Sequence, residues 1–159
     1  MRYKFKDITQ EQVTEFFLND PNVCYLGLPD ADLYELYEDK IYRLKDNTIY
    51  KAIYLRDELI AILKYEAFTQ HTVNLHFYLS SKLHKKGYAR SVEQAIYDYF
   101  IENTKAIKAI LMTPTTCTQV HGPAIGFGMV LEGRIEKSIV WRNEVMDILI
   151  YGIELKRDK

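Results

Sequence analysis

The sequence predicts a mixed α/β domain of the α+β kind, with helices laid on a mostly antiparallel sheet. Three observations carry that expectation. Apolar residues recur at helical spacing through the first forty residues. A long stretch of period-two alternation follows. After it come a strand, a polar loop with one glycine, and an amphipathic helix. The chain has 159 residues, 48% of them hydrophobic and 27% charged, which suits a single domain over residues 1–159 with one substantial core.

Arg2 to Ile8 alternates and reads as a first strand. Thr9 precedes Gln10, Glu11 and Gln12 as an N-cap with a polar first turn. Val13, Phe16 and Phe17 then follow at helical spacing, and Pro21 reads as the end of that helix. A second helix is expected from Asp30, with Leu33, Leu36, Tyr37 and Ile41 on one side and Asp30 and Asp32 at its positive end. Thr48–Leu55 and Leu59–Phe68 read as a hairpin about Arg56-Asp57-Glu58. Val73, Leu75, Phe77 and Leu79 alternate with Asn74, His76 and Tyr78, a third strand with one apolar and one polar face. Val92, Ala95, Ile96, Tyr99 and Phe100 mark one face of a helix ending near Asn103. Ala106–Met112 is a short strand closed by Thr113-Pro114. Thr115–Phe127 reads as irregular or weakly helical, because Gly122 and Pro123 interrupt it. Met129–Ile135 with Ser138–Arg142, and then Val145–Leu155, are the last strands. The unbroken apolar run Ile148–Ile150 predicts a central strand there, with Ile150 buried.

Composition narrows the function. A net charge of −1 draws the chain neither to nucleic acid nor to an anionic membrane surface. No run approaches the roughly 20 apolar residues of a membrane span. Cys24 and Cys117 form no CxxC pair, so neither a metal site nor a disulfide framework is expected, and both read as reduced thiols in a cytoplasmic protein. The 13 tyrosines suit half-buried rings with wet hydroxyls, or an interaction surface, and a homodimer is left open.

The segment with chemical potential is His84-Lys85-Lys86-Gly87-Tyr88-Ala89. Amides at a helix start are unpaired and carry partial positive charge, so they receive anions. Gly87 lets the backbone approach a ligand closely, and Lys85 and Lys86 add cationic charge. A pyrophosphate is the natural occupant.

In this loop and in the element order, the chain resembles the GNAT acetyltransferase family, whose pyrophosphate loop runs Gln/Arg-x-x-Gly-x-Gly/Ala. His84 stands where Gln or Arg is usual. A second stretch, Gly128-Met129-Val130-Leu131-Glu132-Gly133 followed by Asp147 before Ile148-Leu149-Ile150-Tyr151-Gly152, resembles the ribosomal-protein N-terminal acetyltransferase branch. The resemblance implies a splayed strand pair, Val73–Leu79 and Ala106–Met112, with acetyl-coenzyme A between them. It implies pantetheine pairing at the backbone of Phe77, Tyr78 and Leu79, and phosphate binding over His84, Lys85, Lys86, Gly87, Tyr88 and Ala89. An amine, small or on a protein, would attack the thioester directly. The acid frequent near the start of the splayed strand is replaced by Asn74, and the Tyr frequent before the Gly-Phe turn is absent. His76 and His121 are therefore the candidate acid–base residues. The same departures fit a GNAT-fold binding or assembly protein that no longer catalyses.

Overall fold

The computed structural model describes residues 2–157. In chain order the elements are β1 (Tyr3–Asp7), α1 (Gln10–Leu18), α2 (Pro21–Gly27), α3 (Asp30–Glu38), β2 (Thr48–Leu55), β3 (Glu58–Ala67), β4 (Thr72–Leu79), α4 (Tyr88–Asn103), β5 (Lys108–Pro114), α5 (Thr118–Phe127), β6 (Val130–Trp141) and β7 (Glu144–Glu154). The seven strands form one sheet in the order β1-β2-β3-β4-β5-β7-β6. Every neighbouring pair is antiparallel except β4 and β5, which are parallel. The expected mixed architecture is the one observed. Among the described residues, no helix is long and apolar enough to cross a membrane.

Local signals explain most of the boundaries. Thr9 caps α1 reciprocally: the Gln12 amide donates to Thr9 Oγ1 at 3.2 Å, and the Thr9 amide donates to Gln12 Oε1 at 2.9 Å. Pro21 does not end a helix but begins one. α1 stops at Leu18, and Pro21 opens α2 behind Asp20, whose side chain accepts from the Val23 amide. Proline suits a first helical position because its missing N–H has no partner there anyway. Ile41 lies beyond the end of α3.

α5 is a ten-residue helix where the sequence suggested irregular or weakly helical chain. Pro123 removes one internal hydrogen bond. Tertiary ties outweigh that loss: Ala124 is buried, Gln119 Nε2 donates to Leu26 O, and Arg90 Nη1 donates to Gly126 O. The break expected near 136–137 appears as a register shift in β6 between Ile135 and Ile139, with Lys137 at φ 49°. Asp147 fixes it. Its carboxylate receives the Lys137 amide at 2.8 Å and Arg134 Nε at 2.6 Å.

Helices cover the two faces of the sheet unequally. α4 lays Val92, Ile96 and Phe100 on Ile53, Leu63, Val73 and Ala109. On the opposite face, α1–α3 pack Val13, Phe17, Val23 and Leu36 against Tyr50, Ile62 and Tyr78. Beyond β5 the cover thins. Val130 and Val145 of the C-terminal hairpin are 64% and 65% exposed. Ile150 corrects the expectation placed on it: β7 is an interior strand, yet Ile148–Ile150 are only half-buried, and none of them joins either cluster of core residues.

That difference predicts unequal sensitivity. Ile62, fully buried between β3 and the helix layer, should lose about 2–5 kcal/mol on truncation to alanine. Ile150→Ala should lose clearly less. Denaturant midpoints of the two variants decide the matter; equal losses would place Ile150 in the core after all.

Candidate functional site

The site forms where β4 and β5 part. Their parallel pairing holds over three residue pairs only, Thr72–Lys108, Val73–Ala109 and Asn74–Ile110. Beyond Asn74 the strands separate, while β4 stays fully paired to β3 and β5 to β7. One backbone edge of β4 from Leu75 to Leu79 therefore faces a gap. Phe77 and Leu79 pack toward α4, and Tyr78 packs under α2, so side chains leave that edge to the backbone. Gly27 allows the close fit over Tyr78, since a Cβ there would stand 3.0 Å from its ring.

The gap leads to the loop before α4. Leu79 is followed by a short 3-10 turn, Ser81–Leu83, anchored when the Ser81 amide and Oγ donate to Asp20 at 2.8 and 2.7 Å. His84 turns back and donates from Nε2 to the Leu79 carbonyl at 2.8 Å. That contact ties the ring back to the end of β4. Lys85 has φ 59°, and Gly87, at φ 81°, is the N-cap of α4 with no side-chain cap. Among the described residues, the amides of Lys85, Lys86, Gly87, Tyr88 and Ala89 find no carbonyl or side-chain partner. A Cβ on Gly87 would meet nothing within 4 Å. Unpaired amides around open space, at the positive end of a sixteen-residue helix, make a receptor for a phosphate group.

The histidines lie on opposite faces. His76 is on β4, directly across from Lys64 on β3, in the polar row with Asn74 and Glu66. Burial, reinforced by the Lys64 charge, pushes its pKa down to about 4. It is therefore uncharged at neutral pH and weakly basic. His121 is on α5, over the α4 face of β5 and β7. Its Nε2 lies 3.1 Å from the Thr115 carbonyl, which can only accept, so Nε2 carries the proton. Nδ1 lies 3.0 Å from the Tyr151 hydroxyl, and in the tautomer that carries its proton on Nε2 alone it accepts from that hydroxyl. Both ring nitrogens are engaged. Tyr151 was hidden in the apolar run of β7, and only its register opposite Leu111 brings it beside β5.

Two contacts tie the C-terminal half of the sheet to α2 and α3. Arg142, in the β6–β7 turn, donates from its amide and Nη1 to Asp30 at 2.9 and 2.6 Å, and from Nη2 to the Tyr25 carbonyl. Its guanidinium lies 4.8 Å from the Tyr25 ring and 4.5 Å from Trp141. Cys117, at the start of α5, is buried with its thiol toward the Leu26 carbonyl, and burial raises its pKa. It behaves as a packing residue. Glu132 of the C-terminal motif pairs with Lys108 directly over Gly152, where any Cβ would collide with that carboxylate.

No protein-family model and no curated protein matches the sequence. Solved structures do match. Spermidine N-acetyltransferase from Vibrio cholerae, in complex with CoA and spermine, superposes with a TM-score of 0.73 over 96% of this chain and 95% of its own, at 15% identity. Ribosomal-protein-S5-alanine acetyltransferase from Vibrio fischeri gives 0.72 over 97% and 93%, at 14% identity. The protein smu.2055 from Streptococcus mutans UA159 gives 0.69 over 96% and 99%, at 18% identity. At these identities the likeness is one of fold, and the fold is that of the GNAT acetyltransferases.

The environment of His76 predicts a pH dependence of stability. Its ordinary pKa is 6.5, and in the folded chain it is about 4. Between these values the unfolded chain takes up a proton that the folded chain refuses, so stability falls as pH drops from about 6.5 to 4. Below the lower value both states carry the proton and the effect levels off. Denaturant midpoints across this window should show a shallower acid slope in His76→Gln. An unchanged slope would mean that His76 titrates normally.

Proposed function

We propose that this chain is an acetyl-coenzyme A-dependent N-acetyltransferase acting on an amine by direct attack. One observation carries the proposal: unpartnered amides over Lys85–Ala89 continue into the unpaired backbone edge that ends at Leu79. Together they offer an anion receptor and a strand edge in one line, which suits a pyrophosphate joined to an extended amide-bearing arm. The fold likeness supports it.

The backbone of Phe77, Tyr78 and Leu79 would hold the pantetheine, and the amides of Lys85, Lys86, Gly87, Tyr88 and Ala89 the pyrophosphate. His84 contributes by shaping the loop through Leu79. Acetyl-coenzyme A, when bound, supplies an acyl carbon activated as a thioester, so that attack by an amine lone pair forms the amide and releases free thiol. His76 is too weak a base to take the proton of an ammonium ion, but its neutral ring can accept a hydrogen bond from an amine N–H. On the other face, the Tyr151–His121 pair holds a phenol proton beside β5. His76 as a hydrogen-bond acceptor for the amine and the Tyr151–His121 pair as a proton donor are the proposed roles, in place of the acid and tyrosine at the usual positions.

A second reading, a binding or assembly protein, is favoured by one specific observation. Both ring nitrogens of His121 already have protein partners, as in a structural contact. Activity separates the two. Alanine at the responsible histidine should lower turnover about 10²–10⁴-fold while leaving coenzyme A affinity nearly intact. A chain that binds coenzyme A yet releases no thiol with any amine in a broad panel would support the second reading.

The cofactor site has its own test. Gly87→Glu forces a side chain into the left-handed region and adds negative charge where phosphates would sit. Calorimetric titration should show coenzyme A affinity falling at least about tenfold, with the melting temperature lowered by only a few degrees by the strain at this position. Unchanged affinity would remove the site from this loop.

A further inference from the structure

Beside the gap, on the sheet face turned toward α1–α3, four polar side chains form a two-by-two block. Lys64 and Glu66 stand on β3, opposite His76 and Asn74 on β4. Side chains in register on an antiparallel pair share a face, and diagonal neighbours lie about 7–8 Å apart. Lys64 and Asn74 are such a diagonal. Asn74 is also the last β4 residue paired with β5, so the block borders the point of parting.

Two members of the block have unmet demands. Asn74 Oδ1 is buried and has no hydrogen-bond donor, while its amide nitrogen reaches Glu66 at 3.5 Å. Lys64 is half-buried, and among the described residues no carboxylate lies within ion-pair distance of it. The carboxylates nearby are committed elsewhere. Asp32 is paired with Lys45 at 2.8 Å, and Glu66 accepts from Thr48 Oγ1 at 3.3 Å. His76 is uncharged and supplies no anion. Burial lowers the pKa of Lys64, with the Lys45 charge adding to it, even though Asp32 and Glu66 oppose. The ammonium is thus under-compensated where it stands. An acceptor without a donor and a cation without an ion-pair partner, on one diagonal of one face, are the complement of a molecule that carries a donor and an anion close together.

We propose that the acceptor is a small zwitterion, a free amino acid. Its carboxylate pairs with Lys64 and its nitrogen donates to Asn74 Oδ1, which sets that nitrogen beside the point where β4 and β5 part. The inference rests on the acetyl-transfer reading above for the fate of the nitrogen, but not for the recognition itself. It also excludes a class. An extended polycation has nothing to offer Lys64 and meets it as a like charge.

The test compares free L-amino acids with their carboxamides, which keep the amine and lose the charge. The full chain is used, and thiol release from acetyl-coenzyme A is followed. Amino acids should be preferred about ten- to a hundredfold in kcat/KM, the worth of a charged hydrogen-bonded contact. Lys64→Gln should erase the preference by raising KM for the acids while leaving the amides unchanged. Lys64→Arg should keep most of it. A preference for amides or for a polyamine, or a preference that survives Lys64→Gln, overturns the proposal. Calorimetry of amino acids against the coenzyme A-loaded and free chain separates the two levels. If coenzyme A binds but no amino acid binds better than its amide, the acceptor class is wrong and acetyl transfer stands. If amino acids bind through Lys64 but coenzyme A does not, the acetyl-transfer reading falls and the ligand class stands.

Discussion

The whole site depends on a sheet that stops pairing. β4 and β5 hold together for three residue pairs and then part, while each keeps its other neighbour along its full length. An unpaired backbone edge buried in a protein is unfavourable unless something satisfies it. The structure maintains the gap from both ends. Below, the Ile107 amide donates to His71 O at 2.8 Å and the Leu155 amide to Ile107 O at 2.8 Å, closing the base of the split. Above, Arg142 locks the C-terminal hairpin onto Asp30 and Tyr25, and Gln119 locks α5 onto Leu26. The two half-sheets are joined at the bottom, bridged at the top and open between. The loop before α4 delivers its free amides at the end of that opening, and Asp20 anchors the loop by holding both Ser81 and the start of α2.

The electrostatics divide along the same line. On the α4 face, the helix start offers only donors, with Lys85 and Lys86 beside them. On the other face, the block of Lys64, Glu66, Asn74 and His76 is mixed in charge and partly dehydrated. The proposed phosphate receptor and the proposed acceptor block thus lie on different faces of the sheet, on either side of the gap. His121 and Tyr151 sit on the donor-rich side, bonded to each other and to Thr115. His76 sits on the acceptor side, held neutral.

The strand meander, the amphipathic α4 and the glycine loop were legible in the sequence because each rests on local signals. Alternation marks β2–β4, apolar spacing marks α4, and Gly87 marks a left-handed turn. What escaped had tertiary causes. α2 was masked because Pro21 marks a helix start as readily as an end, and only Asp20 decides between them. α5 forms against its own Gly122 and Pro123 because neighbours hold it. Tyr151 and Lys64 lay inside strands that read as packing. Their chemistry follows from register, Tyr151 against Leu111 and Lys64 against His76, and register between distant segments is not written in either segment alone.

A coenzyme A-shaped anion is proposed to complete the parted edge and the open loop at once. Amide hydrogen exchange of the full chain, with and without saturating coenzyme A, addresses it directly. Exchange should slow together in the segments Leu75–Leu79 and Lys85–Arg90, with β1 and β2 unchanged. Protection confined to other segments, or no protection at all, would contradict the account.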